Sequence, residues 1–319
     1  MHKKSTKKKT LSKKPDHILR QSFQNNYYTT QEFISFIETL TKRTAEHVEL
    51  AQTRIPCIKK TCLSLTPFTD DDISVAKAKK ISLQRILPQL NTEESYTPRT
   101  VLEYSILPTT DYETVFNNYH KNFRTQVRQA EKNNLTFSFF ETENDLKRIG
   151  LTLTDIYTIY KKQMKRLFSF QFPYSYFTTC LALPHAKGAV VISDNRPIAY
   201  AFLFENIENI YISIAGADIA CARLRPANLL YDRIIRYACE HHKNVHCGEG
   251  SAASGGNRFK RKAGFLPFQI QMVPDHEKVV GRFERLLQKP GARNVLRFLL
   301  KNWSTYSSSS FFRTIIPFT

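Results

Sequence analysis

The chain has 319 residues, 41% of them apolar, and a formal net charge of +19; it is long enough to bury one large core or two modest ones. The first fourteen residues hold seven lysines and no acid, and the remainder still carries +12, a balance that favours a phosphorylated donor, nucleic acid or an anionic membrane face as partner. Six scattered cysteines exclude a disulfide scaffold and suit a reducing compartment. The most apolar stretch, 198–204, stops at Glu205 and Asn206, which excludes a spanning helix there. The lysine-rich opening runs into the polar DHILRQSFQNNYYTTQ, so 1–15 is expected to be a disordered basic tail and the protein cytoplasmic.

In chain order, Thr29 to Glu32 has the form of a capping box, followed by Phe33, Phe36, Ile37, Leu40 and Val48 at helical spacing. A short strand is expected at 61–65, an acidic turn at 70–72, a helix through Leu87 and a strand at 101–107. Together these make a small N-terminal α+β domain over 16–110. From Asp111 the pattern sharpens: Tyr112, Val115, Phe116, Tyr119, Phe123 and Val127 predict one helix ending near Asn133-Asn134, and 136–141 reads as a strand. A helix over 151–167 comes next. Strands at 189–193, 198–205 and 210–217 then form an antiparallel meander, the last with period-two alternation of Ile210, Ile212 and Ile214. A helix opens at Pro226 with Leu230, Ile234, Tyr237, Ala238 and His241 on one stripe. A strand at 245–247 runs into Gly248-Glu249-Gly250, then come a short helix in GGNRFKRKAGF and a closing strand at 266–273. The order is that of an α+β fold around one mixed sheet flanked by helices, followed over 276–319 by a basic, helical extension.

Four segments in this order resemble the FemABX-like and BioF2-like branch of the GNAT acyltransferase superfamily. KNFRTQVRQAEKNNL is similar to its opening K-x-R-x-x-x-R-x-A helix, GAVVISDNRPIAYAFLF to its strand–turn–strand, RPANLLYDRIIRYACEHH to its cofactor-side helix, and GEGSAASGGNRFKRKAGFLP to its glycine-rich loop with a Phe-Lys pair. The resemblance covers roughly 111–273 and implies a GNAT-like catalytic domain over 111–275, with 16–110 as a reduced first half. It implies acyl transfer to an amine from acyl-coenzyme A, the donor favoured here because about one hundred residues before Asp111 are few for the two full halves of a FemABX protein. The alternative donor is aminoacyl-tRNA, used on a cell-wall precursor. Two departures stand out. His246-Cys247-Gly248-Glu249-Gly250 lacks the aspartate of Asp-Phe-Gly-x-Gly, and Pro226 replaces a glycine of the phosphate loop.

Such chemistry needs a phosphate grip, a base, and a charge facing the developing oxyanion. The helix start flanked by Arg223, Arg225, Ala227 and Asn228 is the candidate grip. In the short helix, Phe259 is expected to pack inward and place Lys260 along the cleft, with Arg258, Arg261 and Lys262 at the rim; the resemblance puts this lysine at the active site. Gly255 and Gly256 would let backbone approach the donor. His246 and Glu249 are both candidates for the base, and Asp218 is a third. Cys239, His241, His242, His246 and Cys247 crowd together, but their ligands would straddle a helix end and a strand, and no metal is expected. The rival from another class is a non-catalytic basic module that docks on RNA or an anionic membrane through the lysine tail, the 258–262 cluster and the C-terminal helices.

Overall fold

The computed structural model describes residues 27, 30–58, 60–87, 102–167, 171–251 and 254–273. The tail expected over 1–15 and the extension expected over 276–319 lie outside them. Helix α1 (Gln31–Thr41) begins one residue later than the capping-box pattern implies: Thr30 is the N-cap, and its hydroxyl accepts from the Phe33 N–H. Strands β1 (Glu46–Glu49), β2 (Arg54–Ile58) and β3 (Thr61–Thr66) follow. The acidic stretch expected as a turn is instead the first turn of α2 (Asp70–Ala78), where Thr69 and Asp72 close a capping box and carboxylates meet the positive end of the helix dipole. That helix does not continue to Leu87. It stops at Lys79 and at Lys80, whose φ is 56°, and the apolar residues beyond form β4 (Ser82–Ile86).

After β5 (Leu102–Leu107) the single helix expected from Asp111 is two, α3 (Tyr112–Asn118) and α4 (Lys121–Lys132). His120 recaps the chain by accepting from the Asn122 N–H. The apolar period survives the break because Val115, Phe123 and Val127 all reach the same core. The arginines of the opening motif serve this joint. Arg124 donates to the carbonyls of Asn117 and Tyr119 at the end of α3, and Arg128 lies over the Phe116 ring. Then come β6 (Thr136–Phe140), α5 (Glu143–Arg148), α6 (Leu153–Leu167) and α7 (Tyr174–Leu181). The last of these has an aromatic and β-branched sequence that does not read as helix, and it is held by the buried Tyr176, Phe177 and Cys180. Strands β7 (Ala186–Ser193), β8 (Arg196–Glu205) and β9 (Asn209–Ala217) make the expected antiparallel meander. A 3-10 turn leads to α8 (Pro226–Glu240), β10 (Asn244–Ser251), α9 (Gly255–Lys262) and β11 (Leu266–Val273).

All eleven strands join one mixed sheet in the order β1-β2-β3-β4-β11-β5-β10-β9-β8-β7-β6. Helices α3, α4, α8 and α9 cover one face of its β5–β6 side, around Phe123, Val127, Leu230 and Ile234. Helices α1, α5, α6 and α7 cover the other, around Phe177, Tyr200, Phe202 and Phe204. A smaller core of Ile55, Cys57, Ile73 and Leu83 lies under α2.

The α+β mixed sheet expected from the sequence is therefore present, but it is not interrupted near residue 110. Strand β5 pairs with β10 and β11, and β11 in turn pairs with β4. The closing strand of the second half thus completes the sheet of the first half.

Candidate active site

Strands β9 and β10 run parallel and pair only at Asn209–Asn244, Ile210–Val245 and Tyr211–His246. Beyond that point they part. Each carries an irregularity at the divergence. On β9, Ile212 and Ile214 are two residues apart yet serve opposite cores, because the register with β8 slips between Leu203–Ile212 and Phe202–Ile214 and leaves Ser213 as an extra residue. On β10, the register with β5 jumps from His246–Ile106 to Glu249–Tyr104, and Gly248 takes a φ of 57°, a left-handed conformation that glycine adopts without the Cβ penalty. Two irregularities thus stand where the parallel pairing ends, and β9 and β10 part as a wedge.

Helix α9 stands at this opening. Ser254 caps it by accepting from the Asn257 N–H, and Phe259 anchors it with ring contacts to Phe123 at 5.3 Å and Tyr231 at 5.0 Å. This orientation buries Lys260, 9% exposed, while Arg258, Arg261 and Lys262 face solvent. One apolar anchor thus separates the four cations into one inside and three outside. The Lys260 ammonium donates to the Gly248 carbonyl at 3.2 Å, and Arg261 pairs with Glu103 of β5.

Glu249 is three residues past the last β9–β10 pair and lies opposite Tyr104 of β5, next to Gly248, whose carbonyl holds Lys260. Its Oε2 is closed from solvent and has no hydrogen-bond partner among the described residues. Burial pushes its carboxyl up from the ordinary 4.5 to about 7, against the downward pull of the Lys260 charge and the Gln84 side chain. A carboxyl poised near neutrality beside a fixed ammonium has the properties of a general base.

His246 is placed differently. It is fully buried, and both ring nitrogens are engaged, Nδ1 with the Tyr104 hydroxyl at 3.1 Å and Nε2 with Asn209 Oδ1 at 3.2 Å. Asn209 Oδ1 only accepts, so Nε2 carries the proton and Nδ1 accepts from Tyr104. Burial pushes this imidazole down to about 3. Neutral and enclosed, it braces the point where the strands part. Asp218 accepts from the Ala220 N–H and caps the 3-10 turn.

The start of α8 lies at the open end of β9. Arg225 is its N-cap in a left-handed conformation with φ 60°, Pro226 is the first helical residue, and no side chain caps the terminus. Arg223 is exposed and Ala227 partly so. Two of the expected grip residues are instead tied to α4: Arg225 Nε donates to Gln129 Oε1 at 3.4 Å, and Asn228 Nδ2 to Gln126 Oε1 at 3.1 Å. Gly255 and Gly256, in the first turn of α9, are exposed, and a Cβ on Gly255 would meet nothing within 4 Å. On α8, Tyr231 touches both Phe259 and the Cys247 sulfur, which packs α9 and β10 against α8.

The Cys/His cluster does not converge. Cys239 is buried, His241 stacks on Tyr237 at the surface, His242 is exposed, and Cys247 faces Tyr231. Among the described residues no three His, Cys, Asp or Glu side chains are grouped to hold a metal ion, and no helix is long and apolar enough to cross a membrane. Sequence reasoning missed Tyr104, Asn209 and Ser213. Their roles arise from strand pairings across the chain, and only the glycines flanking Glu249 signalled an irregular strand in advance.

A family model described as an acetyltransferase (GNAT) domain matches residues 117–261. Among solved structures, FemX is similar with a TM-score of 0.54 at 12% identity, over 80% of this chain and 92% of that one. The C-terminal domain (DUF2156) of a putative lysylphosphatidylglycerol synthetase from Agrobacterium fabrum gives 0.47 at 12% identity, over 76% and 89%. L-PGS from Bacillus licheniformis gives 0.46 at 13%, over 82% and 92%. No curated protein sequence matches the chain. At these identities the likeness to solved structures is one of fold. It spans nearly all of FemX, more than the residues matched by the family model, as the completion of the first half by β11 makes intelligible.

Proposed function

We propose, from the match of residues 117–261 to an acetyltransferase (GNAT) domain model, that the protein is an N-acyltransferase that moves an acyl group from acyl-coenzyme A to an amine, with Glu249 as base and Lys260 as the fixed charge. The observation that carries this reading is the parting of β9 and β10, with the Glu249 carboxyl raised toward neutrality by burial and the buried Lys260 ammonium held on the neighbouring Gly248 carbonyl.

The residues present fit such a donor. The uncapped start of α8 beside Arg223 and Ala227, and the exposed glycines opening α9, would supply backbone N–H groups and positive dipole ends for phosphates. Arg225 and Asn228 hold that terminus to α4 rather than reaching for the ligand, and Phe259 anchors Lys260. In the reaction, the amine nitrogen forms a bond to the thioester carbonyl carbon and loses a proton to the Glu249 carboxylate. The carbon–sulfur bond then breaks, and the thiolate leaves with its electron pair and takes up a proton. The negative charge on the carbonyl oxygen and then on sulfur develops in the field of Lys260, in a site from which burial excludes water.

The test is thiol release from acetyl-coenzyme A across a panel of amino sugars, peptides and polyamines. Wild type is expected to release thiol with at least one amine, and Glu249→Gln to lose about 10²–10⁴-fold of that rate. Release with aminoacyl-tRNA and none with acyl-coenzyme A would transfer the same residues to the other donor. Turnover with neither donor, or full activity in Glu249→Gln, would overturn the reading.

A further inference from the structure

All six cysteines are free thiols and buried, and strand pairing sets two of them opposite each other. Strand β2 ends at Ile58 and β3 begins at Thr61, so residues 59 and 60 alone join them. Lys60 takes a φ of 64°, the positive φ that tight hairpin turns require. Ile58 pairs with Thr61, and Cys57 with Cys62. Hydrogen-bonded and non-hydrogen-bonded pairs alternate along an antiparallel ladder, and a two-residue turn is closed by a hydrogen-bonded pair. Cys57–Cys62 is therefore a non-hydrogen-bonded pair, the kind whose Cα atoms stand about 4.5 Å apart and whose side chains are closest. A disulfide needs Cα atoms about 4.4–6.8 Å apart, so the register meets its requirement with little backbone movement. Both side chains enter the core under α2, with Ile55, Ile73 and Leu83, at 2% and 3% exposure. The other four cysteines are divided among α7, the 3-10 turn, α8 and β10, and no strand pairing joins any of them to a cysteine.

We propose that Cys57 and Cys62 form a redox-modification site, a dithiol that a low-molecular-weight disulfide such as oxidised glutathione converts reversibly into a cross-strand disulfide. The inference is independent of the acyl-transfer reading, since it rests on the β2–β3 hairpin. Strand β1, at the sheet edge beside β2, is four residues long and largely exposed, and fraying of such an edge gives a small reagent access to the sulfurs behind it. The Cys57 thiol is held below its ordinary 9.0 by the Cys62 thiol, against burial and the Glu46 charge, which favours Cys57 as the attacking thiolate. Its sulfur bonds to one sulfur of the reagent, whose disulfide breaks and releases one thiolate. Cys62 then attacks the Cys57 sulfur of the mixed disulfide and releases the second. The dithiol gives up two electrons and two protons, and the reagent takes up both to become two thiols. Excess reduced thiol reverses the exchange, as suits a chain whose cysteine usage fits a reducing compartment.

The test equilibrates the full chain in mixtures of reduced and oxidised glutathione, quenches with acid, alkylates the remaining thiols and maps the peptides by mass spectrometry. Free thiols are expected to fall from six to four, with Cys57 and Cys62 joined at ratios where the other four are still alkylated. The joined form should exceed mixed disulfides of either cysteine with glutathione by about tenfold or more, because the opposite sulfur acts at a high effective concentration. In Cys62→Ser, Cys57 should be found only as free thiol or mixed disulfide; if that variant fails to fold, the wild-type map decides alone. A pair that stays alkylated in oxidised glutathione, or that joins other cysteines as readily as its opposite neighbour, overturns the proposal.

Discussion

Replacing Glu249 by glutamine should make the protein more stable at neutral pH while removing its activity. The carboxyl is raised from 4.5 to about 7 in the folded state, chiefly by burial. Below the lower value the group is protonated whether the chain is folded or not, and it imposes no penalty. As pH rises from 4.5 toward 7 the unfolded chain releases the proton and the folded one retains it, so folding loses stability throughout that window and reaches its full deficit above pH 7. A displacement of this size corresponds to about 3 kcal/mol. Glutamine has the same shape and no charge, so it escapes the deficit. At about 2 °C per kcal/mol for a chain of this length, Glu249→Gln should melt about 6 °C above wild type near pH 8. The two should converge near pH 4.5. Paired thermal melts across this range give the answer. A difference between the two proteins that does not change with pH would refute the reasoning, since a packing effect has no reason to follow the ionisation of one carboxyl.

Two further substitutions probe the frame that holds the site. Tyr104→Phe removes the hydroxyl that serves the buried His246 Nδ1 and should cost about 1–3 kcal/mol in denaturant unfolding; an unchanged midpoint would remove the histidine network from the account. Gly188→Ala places a methyl 1.9 Å from the buried Phe140 ring, so it should destabilise by about 1–3 kcal/mol or more with no change in the titration midpoint of Glu249, which separates packing of the sheet from chemistry at the wedge.

Local signals made much of this architecture legible. The alternation of Ile210, Ile212 and Ile214 marked β9, and the apolar stripe after Pro226 marked α8. In α9 a lone phenylalanine among four cations announced which side turns inward, and Lys260 is buried where Arg258, Arg261 and Lys262 are not. What stayed hidden depends on distant pairing. The first half looked too small because its sheet closes with β11, about 180 residues after β4 in the chain. The alternation in β9 concealed the bulge at Ser213, visible only when the two isoleucines flanking it are seen in opposite cores. His246 and Glu249 were indistinguishable as bases by residue type. Burial parts them, driving the imidazole to about 3 and the carboxyl to about 7, because desolvation disfavours the charged form of each in opposite directions.

The most direct measurement is a thermal-shift titration with acetyl-coenzyme A on wild type and Lys260→Ala, repeated at low and high salt. A donor site in the wedge predicts a saturable rise in melting temperature that persists at high salt and is lost in Lys260→Ala. A rise that any polyanion reproduces, that collapses with salt and that ignores Lys260→Ala would contradict it, and would make this basic protein a charge-driven binder rather than a transferase.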